Sequence, residues 1–225
     1  MGAPVVVGVD SSTQSTKVEA RLVDTGEVVA SGTAKHPPTT PPVSEQDPRA
    51  WWGALAEACD QLGSVRDDVV AIAIAGPQHG LVLVDDTGEP VRPAKLWNDT
   101  TTASQAERLV AELGAQHRSE SVGSVPVPSF TITKLAWVAE HEPELLARTS
   151  QVMLPHDYLT WMLTNEHVTD RGDASGSGWY DAASGAVRPE LLAAAVGDAE
   201  FGAAVPRVLG PSEAAGPIVA AAAAT

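Results

Sequence analysis

The chain opens with a run of β-branched and small apolar residues, Pro4 to Val9, closing in Gly8-Val9-Asp10. Such a run reads as a buried strand. Lys17 to Val23 resumes an extended pattern, Asp24-Thr25-Gly26-Glu27 turns the chain, and Val28 to Ala34 extends it again. The pattern therefore predicts three antiparallel strands in succession. A dinucleotide-binding fold would place a helix after the first turn; here a strand follows. His36 to Val43 carries Pro37, Pro38, Pro41 and Pro42 and reads as an irregular surface segment. Asp47-Pro48 has the form of a helix start, with Asp as N-cap and Pro at the first helical position. The helix that follows pairs Trp51 with Leu55 on one face, and Ala58 with Leu62.

Val69 to Ala75 is apolar throughout, as expected of a central strand covered by helices on both faces. Gly80 to Val84 reads as a fifth strand, turned by Asp85-Asp86-Thr87-Gly88. Helical patterns cover Ala103 to Leu113, Thr131 to His141, Pro155 to Leu163, Pro189 to Val196 and Pro217 to Ala224, and Pro143 begins or precedes another. Asp170 to Asp181 is a Gly/Ser/Asp loop. These alternations predict an α/β protein: a mixed five-stranded sheet, its first three strands antiparallel, flanked by helices.

Composition narrows the partners. The net charge of −15 offers no basic face to a nucleic acid and no attraction to an anionic membrane. The one cysteine, Cys59, permits no intrachain disulfide and reads as a small buried filler. A signal-peptide pattern and an 18-residue apolar stretch are both lacking, so a cytoplasmic location is expected. His36, His117, His141, His156 and His167 show no metal-ligand spacing and read as surface or capping residues.

Chemistry concentrates at the end of the first strand. Asp10 faces Ser11, Ser12, Thr13, Gln14, Ser15 and Thr16, small or hydroxyl-bearing residues that leave backbone N–H groups accessible to phosphate oxygens. A carboxylate there suits phosphate when Mg²⁺ lies between them, and Lys17 adds a point charge. A Ser/Thr-rich hairpin capped by Asp fits the same residues equally well.

Gly8-Val9-Asp10, the small-residue turn with Thr13, and Lys17 resemble the first phosphate loop of the actin-like ATPase superfamily, which usually has Gly-Thr where this chain has Ser12-Thr13. Further motifs follow in order. Ser44-Glu45-Gln46-Asp47-Pro48 with Trp51-Trp52, the turn Gly76-Pro77-Gln78-His79-Gly80, and Trp97-Asn98-Asp99 are similar to segments of the FGGY carbohydrate kinases, above all the xylulokinases. Ser129 to His141 fits the first FGGY signature. Leu154-Pro155-His156-Asp157-Tyr158-Leu159 resembles Leu-Pro-Lys-Asp-Tyr-Leu, and Thr169-Asp170-Arg171-Gly172-Asp173-Ala174-Ser175-Gly176 a Ser/Thr-Asp…Asp-Ala-Ser-Gly loop.

The resemblance implies a ribonuclease H-like, actin-like ATPase fold. It also implies that residues 1–225 form the N-terminal, sugar-binding domain, ending before the catalytic Asp loop and the C-terminal ATP-binding domain. The expected substrate is D-xylulose, phosphorylated from ATP with Mg²⁺. Glycerol, gluconate or ribulose, or a non-catalytic sugar-binding role, are the alternatives. Gln78, His79, Trp97, Asn98, Asp99 and Asp173 are the implied sugar contacts. For His79 the competing role is a satisfied turn residue, for Trp97 a core aromatic, for Asn98 and Asp99 an Asx-turn, and for Asp173 a turn cap. Ser12, Thr13, Gln14 and Lys17 are implied at the phosphates, with Asp10 positioning Mg²⁺ indirectly. Lys134 and Trp137 are expected to pack between helices. An exposed apolar face could also pair two copies as a homodimer.

Overall fold

The computed structural model describes residues 2–198 and 201–223. Its first three strands, β1 (Val5–Ser11), β2 (Ser15–Leu22) and β3 (Val28–Lys35), run antiparallel as the pattern predicts. A short β4 (Glu45–Gln46) leads into α1 (Pro48–Asp60), where the Asp47 side chain accepts the Arg49 amide as N-cap. β5 (Val69–Ala75) then returns parallel to β1, giving the strand order β3-β2-β1-β5.

The central sheet thus has four strands rather than the five expected. β6 (Val82–Val84) leaves it and pairs antiparallel with β8 (Gln151–Met153), while β7 (Ala94–Lys95) pairs with β4. Side-chain alternation gives the reason. Val82 and Val84 enter the core under the sheet, whereas Leu83 enters a second core on the other side. All three are completely buried, so β6 is the seam between two cores.

β5 also departs from expectation. It is the edge of the described sheet, and Val70, Ala71, Ala73 and Ala75 are exposed. Its sequence alternates small Ala with large Ile72 and Ile74, and the isoleucines, with Val69, pack against the core. The first core lies between one face of the sheet (Val7, Val9, Val18, Ala20) and the helices α1 and α6 (Pro155–Thr164), with Trp51 edge-on to Tyr158 at 6.4 Å. The opposite face, carrying Gly8, Asp10, Lys17 and Glu19, stays open.

The second core is helical. α2 (Ala103–Leu113) is followed by α3 (Ala115–Val122), which the pattern did not predict; α4 (Thr131–His141) and α5 (Pro143–Ala147) come next. α6 (Pro155–Thr164) starts immediately after β8. β9 (Val168–Thr169), α7 (Arg171–Ser175), the ribbon β10 (Tyr180–Asp181) and β11 (Ala186–Val187), and α8 (Pro189–Val196) complete this layer. β12 (Arg207–Val208) pairs with β9, and α9 (Ala220–Ala223) ends the described chain. Residue 224, the last of the helix expected there, lies outside the described residues. Ile132, Leu135, Leu191 and Leu192 join α4 to α8 with no exposed surface.

α1 crosses β3 at Gly32, where a Cβ would lie 2.0 Å from the Ala58 carbonyl oxygen. Gly32→Ala is therefore expected to destabilise the fold by about 1–3 kcal/mol in urea unfolding. Gly53, exposed inside α1 with open space at its Cβ position, should respond oppositely, Gly53→Ala stabilising by roughly 0.5–1 kcal/mol.

Candidate functional site

Parallel pairing sends β1 and β5 out of the sheet at the same end, with Asp10 in register with Ala75. In α/β sheets the carboxyl ends of parallel strands are where ligands bind. Asp10 is exposed, and its carboxylate makes no hydrogen bond or ion pair among the described residues. Directly across the hairpin stands Lys17, also exposed. Both line an open groove of about 540 Å³ on the uncovered sheet face. A free carboxylate oxygen on an open face suits a hard divalent cation.

The turn after Asp10 is a tight hairpin. The Ser12 amide and hydroxyl both donate to the Ser15 carbonyl, at 2.9 and 3.1 Å. Its underside is fixed by Thr16, whose hydroxyl lies 3.2 Å from Ser11 Oγ and 2.8 Å from His36 Nε2. His36 is therefore buried beneath the turn rather than on the surface, and burial lowers its pKa. Gln14, at the tip, is exposed, and its carbonyl accepts the His36 amide at 2.8 Å. Gln46 holds the turn from the side. Its Nε2 donates to the carbonyls of Thr13 (3.0 Å) and Pro37 (2.6 Å), and its Oε1 accepts Trp51 Nε1–H at 2.7 Å. One amide thus ties the phosphate-type turn, the proline-rich segment and α1 together.

Trp97 joins this turn to the second group of residues. Its indole N–H donates to Thr13 Oγ1 at 3.2 Å, and the ring is 49% exposed, so it is a surface wall and not a core aromatic. Asn98 is half-buried, with a buried Oδ1 that has no hydrogen-bond partner among the described residues. Asp99 must be withdrawn as a sugar contact. It is completely buried and accepts from the Ser44 amide (2.9 Å), the Thr101 amide (3.0 Å) and hydroxyl, and Lys95 Nζ (3.3 Å). Burial alone would raise its pKa, but these donors hold it below the usual carboxylate range. Asp99 is an Asx-turn that orders the loop presenting Trp97.

The turn from Gly76 to Gly80 begins where β5 ends beside Asp10. A Cβ on Gly76 would lie 3.0 Å from His156 Cβ and its amide nitrogen, so a side chain there would press on the start of α6. Gln78 is exposed at the crest. His79 has φ 63°, and its ring stacks on Phe130 at 4.9 Å and 7°. Nδ1 lies 2.7 Å from the Gly176 carbonyl, which can only accept, so Nδ1 carries the proton. In the neutral form of this tautomer Nε2 is an acceptor. Phe130 is positioned in turn by Lys134. That ammonium is completely buried and donates to the carbonyls of Pro128 (3.2 Å), Ser129 and Phe130 (3.3 Å). Burial lowers its pKa to about 7.

Asp173 lies on α7, 2.7 Å from His156 Nδ1. Asp170, the N-cap of α7, and Asp157 lie 3.2 and 3.1 Å from His156 Nε2. His156 was expected as a surface or capping residue; it is buried beside these carboxylates because α6 starts against the Gly76 turn. Burial by itself would lower its pKa, but Asp157, Asp170 and Asp173 together raise it to about 10. Burial raises Asp157 to about 6 despite the neighbouring imidazolium. Sequence reasoning missed His36, Gln46 and His156 as parts of the site. For His156 the Asp-rich segment at 170–173 was an available signal.

Residues 5–225 match the family described as "FGGY family of carbohydrate kinases, N-terminal domain". The xylulose kinase of Streptomyces rubiginosus is 53% identical over 216 residues, covering 96% of this chain and 44% of that protein. That of Escherichia coli is 41% identical over 181 residues, covering 79% of this chain and 37% of that protein. The crystal structure of xylulose kinase from Bifidobacterium adolescentis aligns with a TM-score of 0.87 at 41% identity, covering 95% of this chain and 49% of that one. A glycerol kinase structure from Plasmodium falciparum, 19% identical with a TM-score of 0.87, shares the fold.

An actin-like fold, with exposed polar residues where β1 and β5 end, is thus the class the architecture defines. The chain belongs to the FGGY family of carbohydrate kinases and spans less than half the length of the curated relatives it matches. Among the described residues no helix is long and apolar enough to cross a membrane.

Two outcomes follow. Gln46→Ala strands the buried Trp51 N–H and should cost about 1–3 kcal/mol, read as a lowered urea midpoint. A raised imidazolium pKa stabilises fully below the ordinary 6.5, and its contribution is lost as pH rises toward 10. The melting temperature of the native chain should therefore fall more steeply from pH 7 to 10 than that of His156→Lys, whose ammonium stays charged through most of that range.

Proposed function

We propose that this chain is the sugar-binding, phosphate-facing part of an ATP-dependent kinase that phosphorylates the 5-hydroxyl of D-xylulose. The observation that carries the reading is His79. It is held at positive φ between Phe130 and the Gly176 carbonyl, with Nε2 left to accept from a sugar hydroxyl. The high identity to xylulose kinases favours D-xylulose over glycerol, gluconate or ribulose.

In this reading Trp97 is the apolar wall against the sugar carbons, and Gln78, Asn98 and Asp173 supply polar contacts around it. The turn bearing Ser12, Thr13 and Gln14, with Lys17, faces the phosphates of ATP. Asp10 would hold Mg²⁺, directly or through water, and its free carboxylate fits that task. When bound, MgATP supplies the electrophilic phosphoryl group. What the chain contributes is alignment of the sugar hydroxyl and compensation of charge, the main sources of rate in phosphoryl transfer. We assign the general base and most nucleotide contacts to residues outside 1–225, so this chain by itself does not turn over.

The test is a coupled assay of MgATP-dependent D-xylulose phosphorylation by the protein that carries this chain in full. His79→Ala should raise KM for the sugar by about tenfold or more, and Asp10→Asn should lower kcat by roughly 10²–10⁴-fold. Turnover by isolated residues 1–225, or equal turnover of Asp10→Asn, would refute these assignments. A preference for glycerol, gluconate or ribulose would move the substrate within the family.

A further inference from the structure

A buried imidazole facing three carboxylates, of which Asp170 is exposed, needs a role. His156 is 6% exposed and touches Asp157, Asp170 and Asp173 at 3.1, 3.2 and 2.7 Å. Asp157 belongs to its own helix, where it also accepts the Leu154 amide at 2.8 Å. Asp170 and Asp173 come from the loop and first turn of α7. Among the described residues these three are the charged groups that face the imidazole, and all are acidic. Asp170, the N-cap of the five-residue α7, and Asp173 in its first turn repel each other. α7 is anchored by Ala174 in the second core and by Arg171 on the Ala182 carbonyl, and the charge around His156 ties it to α6.

The consequences reach the sugar site by two short paths. Asp173 is itself a proposed sugar contact, and its Oδ2 lies 2.7 Å from His156 Nδ1, an ion-pair contact without hydrogen-bond alignment. Three residues on, Gly176 accepts the proton of His79 Nδ1, and a Cβ at Gly176 would overlap the His79 ring at 2.3 Å. The position of α7 therefore sets both the direction of Asp173 and the tautomer of His79.

We propose that His156 is a positioning residue for the sugar, a protonated clamp that docks α7 on α6 so that Asp173 and His79 face the substrate together. The inference rests on the reading of Asp173 and His79 as sugar contacts. The three donor atoms of His156, Asp170 and Asp173 lie within 4.8 Å of one another, a spacing that a metal ion could also bridge. An imidazolium is the better occupant, because the carboxylates hold its proton to about pH 10, and a protonated nitrogen has no lone pair for a metal.

The test combines calorimetric titration of D-xylulose with NMR of the imidazole in the full protein. His156→Gln, which keeps size and loses charge, should weaken sugar binding by roughly 10–100-fold, as removal of a supporting partner does elsewhere. His156→Lys should recover most of the loss. Native affinity should fall between pH 8 and 10, whereas His156→Lys should hold its affinity over that range. The His156 ring resonances should remain those of an imidazolium at pH 8.

Unchanged affinity in a folded His156→Gln, or failure of His156→Lys to recover a loss, would overturn the proposal. If His156→Gln fails to fold, the comparison of native protein with His156→Lys across pH decides. A His156 ring titrating near its ordinary value would overturn the clamp even if sugar still bound. A charged His156 in a protein that binds no sugar would instead sink the reading of the site.

Discussion

The parallel pairing of β1 with β5 is the constraint on which the site depends. It sets Asp10 beside Ala75 and forces the two chains to leave the sheet at one edge, one into the Ser12–Ser15 hairpin and the other into the Gly76–Gly80 turn. A parallel pair requires a long crossover. Here that crossover holds the proline-rich segment, Gln46 and α1. The same segment that makes the pairing possible also braces the hairpin, through the two carbonyl contacts of the Gln46 amide and its bond to Trp51.

Around that edge the chain spends buried charge to hold irregular backbone. Lys134 satisfies three carbonyls beneath Phe130, Asp99 and Lys95 order the loop under Trp97, and His156 binds α7 to α6. Lys134 meets carbonyls and the other two are ion pairs; buried polar pairings of either kind add little net stability compared with apolar packing, but removing one partner is costly. Such pairs therefore suit positions where geometry matters more than stability. Each of the three holds a loop bearing a group assigned to the substrate: His79 by its stacking on Phe130, Trp97, and Asp173.

Much of this was legible in the sequence. The hairpin strands followed from β-branched runs broken by Asp-Thr-Gly-Glu, and α1 from Asp47-Pro48 before a Trp51/Leu55 face. α4 and α8 matched their periodic segments end to end. The ordered motifs identified the family, which residues 5–225 match. What escaped was set by long-range contacts. β6 looked like another strand of the main sheet, but its odd and even residues feed two separate cores. β5 looked doubly covered, although its Ala/Ile alternation already marked one thin face. Asp99 carries the same letters whether it meets a sugar or caps a turn, and only its buried donors distinguish the two. His156 looked like a surface or capping histidine because the aspartates beside it come partly from a loop 14 to 17 residues away.

The central claim is that the edge defined by β1 and β5 is a sugar site. A crystal structure of the protein with D-xylulose tests it most directly. The account predicts the sugar against Trp97, with a hydroxyl donating to His79 Nε2 and the Asp173 carboxylate in contact. Sugar bound away from these residues, or His79 turned off Phe130 with Nδ1 on the ligand, would contradict it.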